Sequence, residues 1–296
     1  GTANDYIGTL STEITDGING ANTTEADAST GTTIAYAEGT WDQNKHQLGS
    51  TAAEKTKNDN RASGSTAAQL QGLGSAINIF TPKVTLASKG GIAYMGDNKG
   101  IINVGTTAKN VTTTAVNHKS IIGFARDEGR VTINGNVEAK DAKAQTNKWQ
   151  NIAGLAVKTK TGTKGGTVTI NGNVDIHGMA GFADGANSVV NLKGTGNKVS
   201  TGTDGALAAK NGGVVNFGGG TITHKNNGTV AGKNDHESSV PFYADNTSKV
   251  NFEGNGSNPS RTTIEMADGV LMSEEASKYN GLNDGKAKYN GMKNVT

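Results

Sequence analysis

Short stretches in which two apolar residues flank a polar one recur along the chain. They read Ile102-Asn103-Val104, Val131-Thr132-Ile133, Val168-Thr169-Ile170, Val190-Asn191-Leu192, Val215-Asn216-Phe217 and Val250-Asn251-Phe252. Their offsets are 29, 37, 22, 25 and 35 residues, and the heptapeptide Val-Thr-Ile-Asn-Gly-Asn-Val stands complete at 131–137 and again at 168–174. Two residues beyond the second apolar position a glycine recurs (Gly135, Gly172, Gly194, Gly219, Gly254), with Gly105 one place early. Two residues before the first apolar position stand Gly100, Gly129, Gly166 and Gly213, with Ser188 and Ser248 in the same slot elsewhere. Seven or eight residues upstream a second short element pairs a large residue with alanine. It reads Ala93-Tyr94, Phe124-Ala125, Phe182-Ala183, Leu207-Ala208 and Tyr243-Ala244, while Leu155-Ala156 is displaced by an insertion over 158–165. Each unit therefore predicts strand, tight turn, strand, glycine turn and a variable connection.

Side chains alternate between the faces of a strand, so Val-x-Ile buries its outer pair on one side and shows its middle residue on the other. One such strand cannot cover its apolar side, and two of three residues make no stable hairpin. Stacking equivalent strands solves both problems. Val, Ile, Leu and Phe then form a continuous inner column, and Asn103, Thr132, Thr169, Asn191, Asn216 and Asn251 form ladders outside. The prediction is an all-β chain: a right-handed parallel β-helix, or β-solenoid, with loop excursions and glycines at its corners. A β-sandwich or barrel is the competing architecture, and Asn-Gly after Ile133 and Ile170 suits a hairpin. Near-identical motifs at this spacing favour the solenoid, because in a sandwich each strand needs a different neighbour.

The ends read differently. Residues 1–80 predict irregular coils with a polar excursion, and 81–296 the regular coils. Tyr6, Ile7, Leu10, Ile14 and Ile18 fall at helical spacing, interrupted by Gly8 and Asp16-Gly17, so the N-terminal part is expected to be irregular and partly helical. Thr33-Ile34-Ala35-Tyr36-Ala37 resembles an upstream strand. Residues 41–65 are polar and charged, and 51–57 and 65–71 fit short helices. The opening residues read as neither a basic nor an apolar leader, so no signal peptide is expected among them, and Tyr289-Asn290-Gly291 echoes Tyr279-Asn280-Gly281 near the other end. Neither end reads as a cap, so a piece of a longer protein is expected.

Composition sharpens this picture. Gly (43), Thr (37) and Asn (33) dominate the 296 residues, AVILMFWYC reach only 33%, and poor helix formers on that scale argue against a helical globule. With Cys at 0 there are no disulfides, thiolate metal sites or cysteine nucleophiles. The 28 basic and 26 acidic residues nearly cancel, which argues against a nucleic-acid footprint or a polybasic membrane surface. No apolar run is long enough to span a bilayer as a helix.

Candidate chemistry is sparse. Ser63-Gly64-Ser65 is not a nucleophile elbow, and the segment 228–234 falls short of a phosphate loop. His46, His118, His177, His224 and His236 show no ligand-like pairing and are expected in solvated positions or turns. No catalytic, cofactor or metal residue is assigned. Asp97, Asp127, Asp184 and Asp245 each follow an upstream element, so stacking brings them near one another. Two carboxylates suitably separated could hydrolyse a glycosidic bond, but aspartate also favours turns for its local hydrogen bonds, and that reading is preferred. Trp41, Trp149 and Tyr279 lie in polar stretches, either as contact residues or as caps of the hydrophobic column.

The coils running from Phe182-Ala183 to Gly194 and from Leu207-Ala208 to Gly219 resemble those of type V autotransporter passenger domains of Gram-negative bacteria. The Lys/Asn-rich style and the Tyr-Asn-Gly phrases are similar to the large fusobacterial RadD-like adhesins. The resemblance covers about residues 83–296. It implies a cell-surface β-helix tethered to the outer membrane by a C-terminal barrel that lies outside this chain. On that basis the expected protein is a monomeric, non-enzymatic adhesin and virulence factor. It would engage a cell-surface protein or glycan of partner bacteria (coaggregation) or host cells, without cofactor, nucleic acid or membrane insertion. The expected contact loops are 41–65, 138–148 and 225–239. A β-helical polysaccharide hydrolase or lyase, or a toxin passenger, is the alternative.

Overall fold

The computed structural model describes residues 7–10, 14–16, 33–39, 73–74, 76–80, 82–86, 90–145, 150–202, 205–224, 241–254, 261–266, 289–290 and 296. Among them every strand pairing is parallel, and the strands stack into three faces of a β-helix. One coil runs from Ile121–Arg126 in the third face through Arg130–Ile133 in the first to Val137–Ala139 in the second. The next runs through Asn151–Val157, Thr167–Ile170 and Val174–Asp184.

The first face contains the recurring triplets in register. Val131 pairs with Val168, Val168 with Val190, and Val190 with Val215. Their inward partners Ile133, Ile170, Leu192 and Phe217 are all but fully buried. The polar middle residues form the ladder expected of them. Asn191 donates to Thr169 at 3.3 Å, Asn216 to Asn191 at 2.8 Å and Asn251 to Asn216 at 2.7 Å. At the adjoining corner Asn171 donates to Asn134 at 2.7 Å.

A third strand follows each glycine turn, where the sequence predicted only a variable connection. Thr112–Ala115, Asn197–Thr201 and Gly220–His224 belong to this second face. They escape a hydrophobic pattern because each offers one or two apolar side chains, such as Val199 and Ile222, to the core. Strand Val174–Asp184 serves two faces. It pairs with Asn197–Thr201 through residues 175–177 and with Leu207–Lys210 through 181–184. It turns at Gly178, whose φ of 126° puts an added Cβ 2.3 Å from the Asn151 carbonyl oxygen.

The glycine preceding each triplet is fixed by contact with the coil beneath. A Cβ on Gly129 would lie 2.1 Å from the Gly96 carbonyl oxygen. The same slot at Gly100 and Gly213 faces the carbonyls of Ala37 and Ala183.

The third face corrects the reading of the large-residue-plus-alanine element. Its alanines, Ala125, Ala156 and Ala183, point into the core, whereas Phe124, Leu155 and Phe182 form a second apolar cluster on the outside with Tyr36 and Met95. Two copies were also misaligned by one residue: Tyr94 pairs with Gly123, and Leu207 with Gly181, so both face inward. Gly123, Gly154 and Gly181 stack where the faces approach most closely. A Cβ on Gly154 would meet Val190 Cγ1 at 2.8 Å.

The helical expectation for the N-terminal part does not hold where the chain is described. Ile7–Leu10 and Ile14–Asp16 are strands paired with Ala76–Ile79 and Lys83–Leu86. Two short strands three residues apart place apolar side chains at separations that mimic a helical stripe. Thr33–Glu38 is a third-face strand, as its resemblance to the upstream element predicted. Residues 41–65, 225–239, Trp41, Trp149 and Tyr279 lie outside the described residues, as do His46 and His236. Of the expected loop 138–148, Glu138 belongs to strand Val137–Ala139, and 142–145 form one 3-10 turn.

Candidate functional site

The four aspartates emerge at the corner between the third and first faces, and each is occupied by its surroundings. Asp97 ends strand Ile92–Asp97, nearly buried. Arg126, one strand on, donates from Nε to its Oδ1 at 3.0 Å and from Nη2 to its Oδ2 at 2.5 Å. Tyr36 donates its hydroxyl to the same carboxylate at 3.3 Å. Burial alone would lower the Arg126 pKa, but this paired contact holds it above the usual value.

Asp127 organises the insertion after Val157. Its carboxylate accepts from the Thr159 amide at 2.7 Å, the Thr159 hydroxyl, the Lys160 amide at 3.1 Å and the Thr163 hydroxyl at 3.4 Å. Burial pushes its pKa up, but the Thr159 and Lys160 donors outweigh that and hold it below the usual carboxylate value. Asp245 is the same device at a shorter turn. It accepts from the Asn211 amide at 2.7 Å, the Thr247 amide and hydroxyl, and the Ser248 hydroxyl at 2.7 Å. Its pKa too is lowered, the donors from Asn211, Ser248 and Thr247 overcoming the opposing effect of burial. Asp184 accepts from Asn211 Nδ2 at 2.8 Å, so Asn211 stands between Asp184 and Asp245.

Register places Asp97 and Asp184 far apart, while Asp127 follows one level after Asp97 and Asp245 lies two strand spacings from Asp184 with Asn211 between them. Asp97 pairs with Arg126, Arg126 with Val157, Val157 with Asp184, and Asp184 with Lys210. Three strand spacings separate Asp97 from Asp184, about 14 Å, beyond the range of an acid/base pair on one glycosidic bond. Arg126 and Lys210 interrupt the acidic column. What the arrangement does is hold corners and one insertion in place. The partners that make this so, Arg126, Thr159 and Asn211, had no signal in the sequence beyond following or preceding a strand.

Two of the three described histidines are more enclosed than expected. His118 is nearly buried, its Nδ1 lying 2.8 Å from Asp141 Oδ2 while its amide donates to the same oxygen at 3.1 Å. His224 is buried against the Thr201 hydroxyl at 2.6 Å. Among the described residues no three His, Asp or Glu side chains group as metal ligands, and no helix is long and apolar enough to cross a membrane.

Two loop exits share one corner. The chain leaves the second face after Ala139 and rejoins the third at Asn151. It leaves again after His224 and rejoins at Phe242. Three strand spacings, about 14 Å, separate the two exits along the axis. The chain is a parallel β-helix; no protein-family model, curated protein or solved structure matches it.

Proposed function

We propose that this chain is part of the passenger of a type V autotransporter resembling the RadD-like adhesins. In this reading it is a non-enzymatic rod on the Gram-negative cell surface that attaches the cell to partner bacteria or host cells. Its contacts are loops, and its partner is a surface protein or glycan. The observation that carries the reading is the shared corner from which the segments after Ala139 and His224 depart. Loops that leave a rigid scaffold at one corner, here about 14 Å apart along its axis, are how binding residues are commonly displayed. The occupation of Asp97, Asp127, Asp184 and Asp245 by local donors supports binding over hydrolysis.

The test is retention of protein-coated beads on intact bacterial and epithelial cells. Beads carrying the wild-type chain should be retained. Replacing 142–149 and 225–239 with short Gly/Ser links should abolish retention while the β-rich circular dichroism persists. Wild-type beads that wash off every cell type, or retention that survives both replacements, would overturn the proposal.

A further inference from the structure

The outer side of the second face carries a groove that the loops do not explain. It lies over three successive strands, Val174–Asp184, Asn197–Thr201 and Gly220–His224, between the levels of the two loop exits. Its cavity of about 350 Å³ is within the range of small-ligand sites. Register arranges its outward side chains in two rows: Asp175, Lys198 and Thr221, then His177, Ser200 and Thr223. Strand spacing and side-chain alternation set this grid at about 4.8 by 6.7 Å, comparable with the width of a sugar ring.

The groups in the groove select a chemistry. Thr221 offers a hydroxyl able to donate and accept, and Thr223, which donates to Glu265 at 3.2 Å, offers its oxygen as an acceptor. His177 Nδ1 is shielded from solvent and has no hydrogen-bond partner. Among the described residues Lys198 makes no ion pair, whereas Asp175 lies 3.5 Å from the Lys140 ammonium. Ile176 and Val199 turn their side chains to the core, so no large apolar side chain faces the groove. A polyanion such as nucleic acid meets one unpaired cation beside a carboxylate, too little positive charge for a phosphate backbone. No Phe, Tyr or Trp lines the groove to stack on a base.

We infer that this groove binds an acidic saccharide, one uronate-type carboxylate on Lys198 and the ring hydroxyls on His177, Thr221 and Thr223. The site goes beyond the attachment reading and stands whether or not the rod mediates adhesion. Its ligand meets hydrogen bonds and one charge, so binding is weak per site and sensitive to salt.

Isothermal titration of the purified chain with trigalacturonic acid, and with neutral maltotriose, tests it directly. The acidic trimer should bind and the neutral one should bind about tenfold more weakly or not at all, the scale of one charge-assisted hydrogen bond. Lys198→Ala should erase that preference, and Thr221→Val should weaken the acidic trimer while circular dichroism and melting stay at wild-type values. No binding of the acidic trimer at millimolar concentration, equal binding of both sugars, or indifference to both substitutions would overturn the site. None of these results bears on bead retention through the loops, so the two proposals fail separately.

Discussion

The first and third faces are built from the same coils yet use their large side chains in opposite directions. The first sends Val131, Ile133, Val168 and Ile170 inward and shows Asn and Thr to solvent. The third sends Ala125, Ala156 and Ala183 inward, with Gly123 and Gly154, and carries Phe124, Leu155 and Phe182 outside. The difference is one of volume. Where the faces converge, Val168 and Val190 already fill the space, so the opposite wall must be nearly bare backbone. The outer face of the third sheet has its own order: Lys210 Nζ lies 5.8 Å from the Phe182 ring centroid and 5.4 Å from that of Tyr243.

The largest effect should come from truncating the two kinds of apolar residue in turn. Ile170→Ala empties a fully enclosed site and should cost roughly 2–5 kcal/mol in urea unfolding. Phe124→Ala removes a bigger but only partly buried ring and should cost less. The reverse order would mean that the outside cluster, not the inner column, holds the coils together. A middle-sized effect tests the convergence itself. Gly154→Ala and Val190→Ala should each destabilise, the first by about 1–3 kcal/mol through overpacking. The double variant should lose clearly less than the sum of the two, since the new methyl occupies the space the old one vacated. Strict additivity would show that the walls do not touch there.

The smallest effect concerns the corner that joins the faces. The Asp127 carboxylate has a lower pKa folded than unfolded, so the unfolded chain takes up its proton first. Its stabilising contribution is present above the ordinary value near pH ~4 and is lost as pH falls through the lower folded value. Urea midpoints measured across that window should fall less steeply for Asp127→Asn than for wild type. Identical slopes would remove Asp127 from the list of groups that hold the insertion.

What the sequence made legible follows from this contrast. Val131-Thr132-Ile133 and its copies betray their faces because a half-solvated strand alternates. The third-face strands do not alternate simply: Ile122 and Gly123, adjacent in sequence, both face the core. The motif Phe124-Ala125 was visible, but nothing in it says which member is inside, and the neighbours Tyr94 and Leu207 slid into the wrong register. The second face was missed because Asn197–Thr201 and Gly220–His224 carry polar residues on both sides, with Asn197, Thr201 and His224 buried. Of the candidate site, the recurrence of aspartate at corners was legible. That Arg126 and Asn211 would hold those carboxylates depends on which strands become neighbours, and the irregular spacing of the coils hides that.

From Ile92 onward each described coil pairs only with the coil before and the coil after, so the ladders run along the axis of the rod and a pull along that axis loads its interfaces in series. The weakest junction gives way first, and its coil pays out as thread. The shortest repeat among the described residues, 22 residues from Val168 to Val190, would release roughly 75 Å of extended chain, so a stretched molecule should lengthen in discrete jumps.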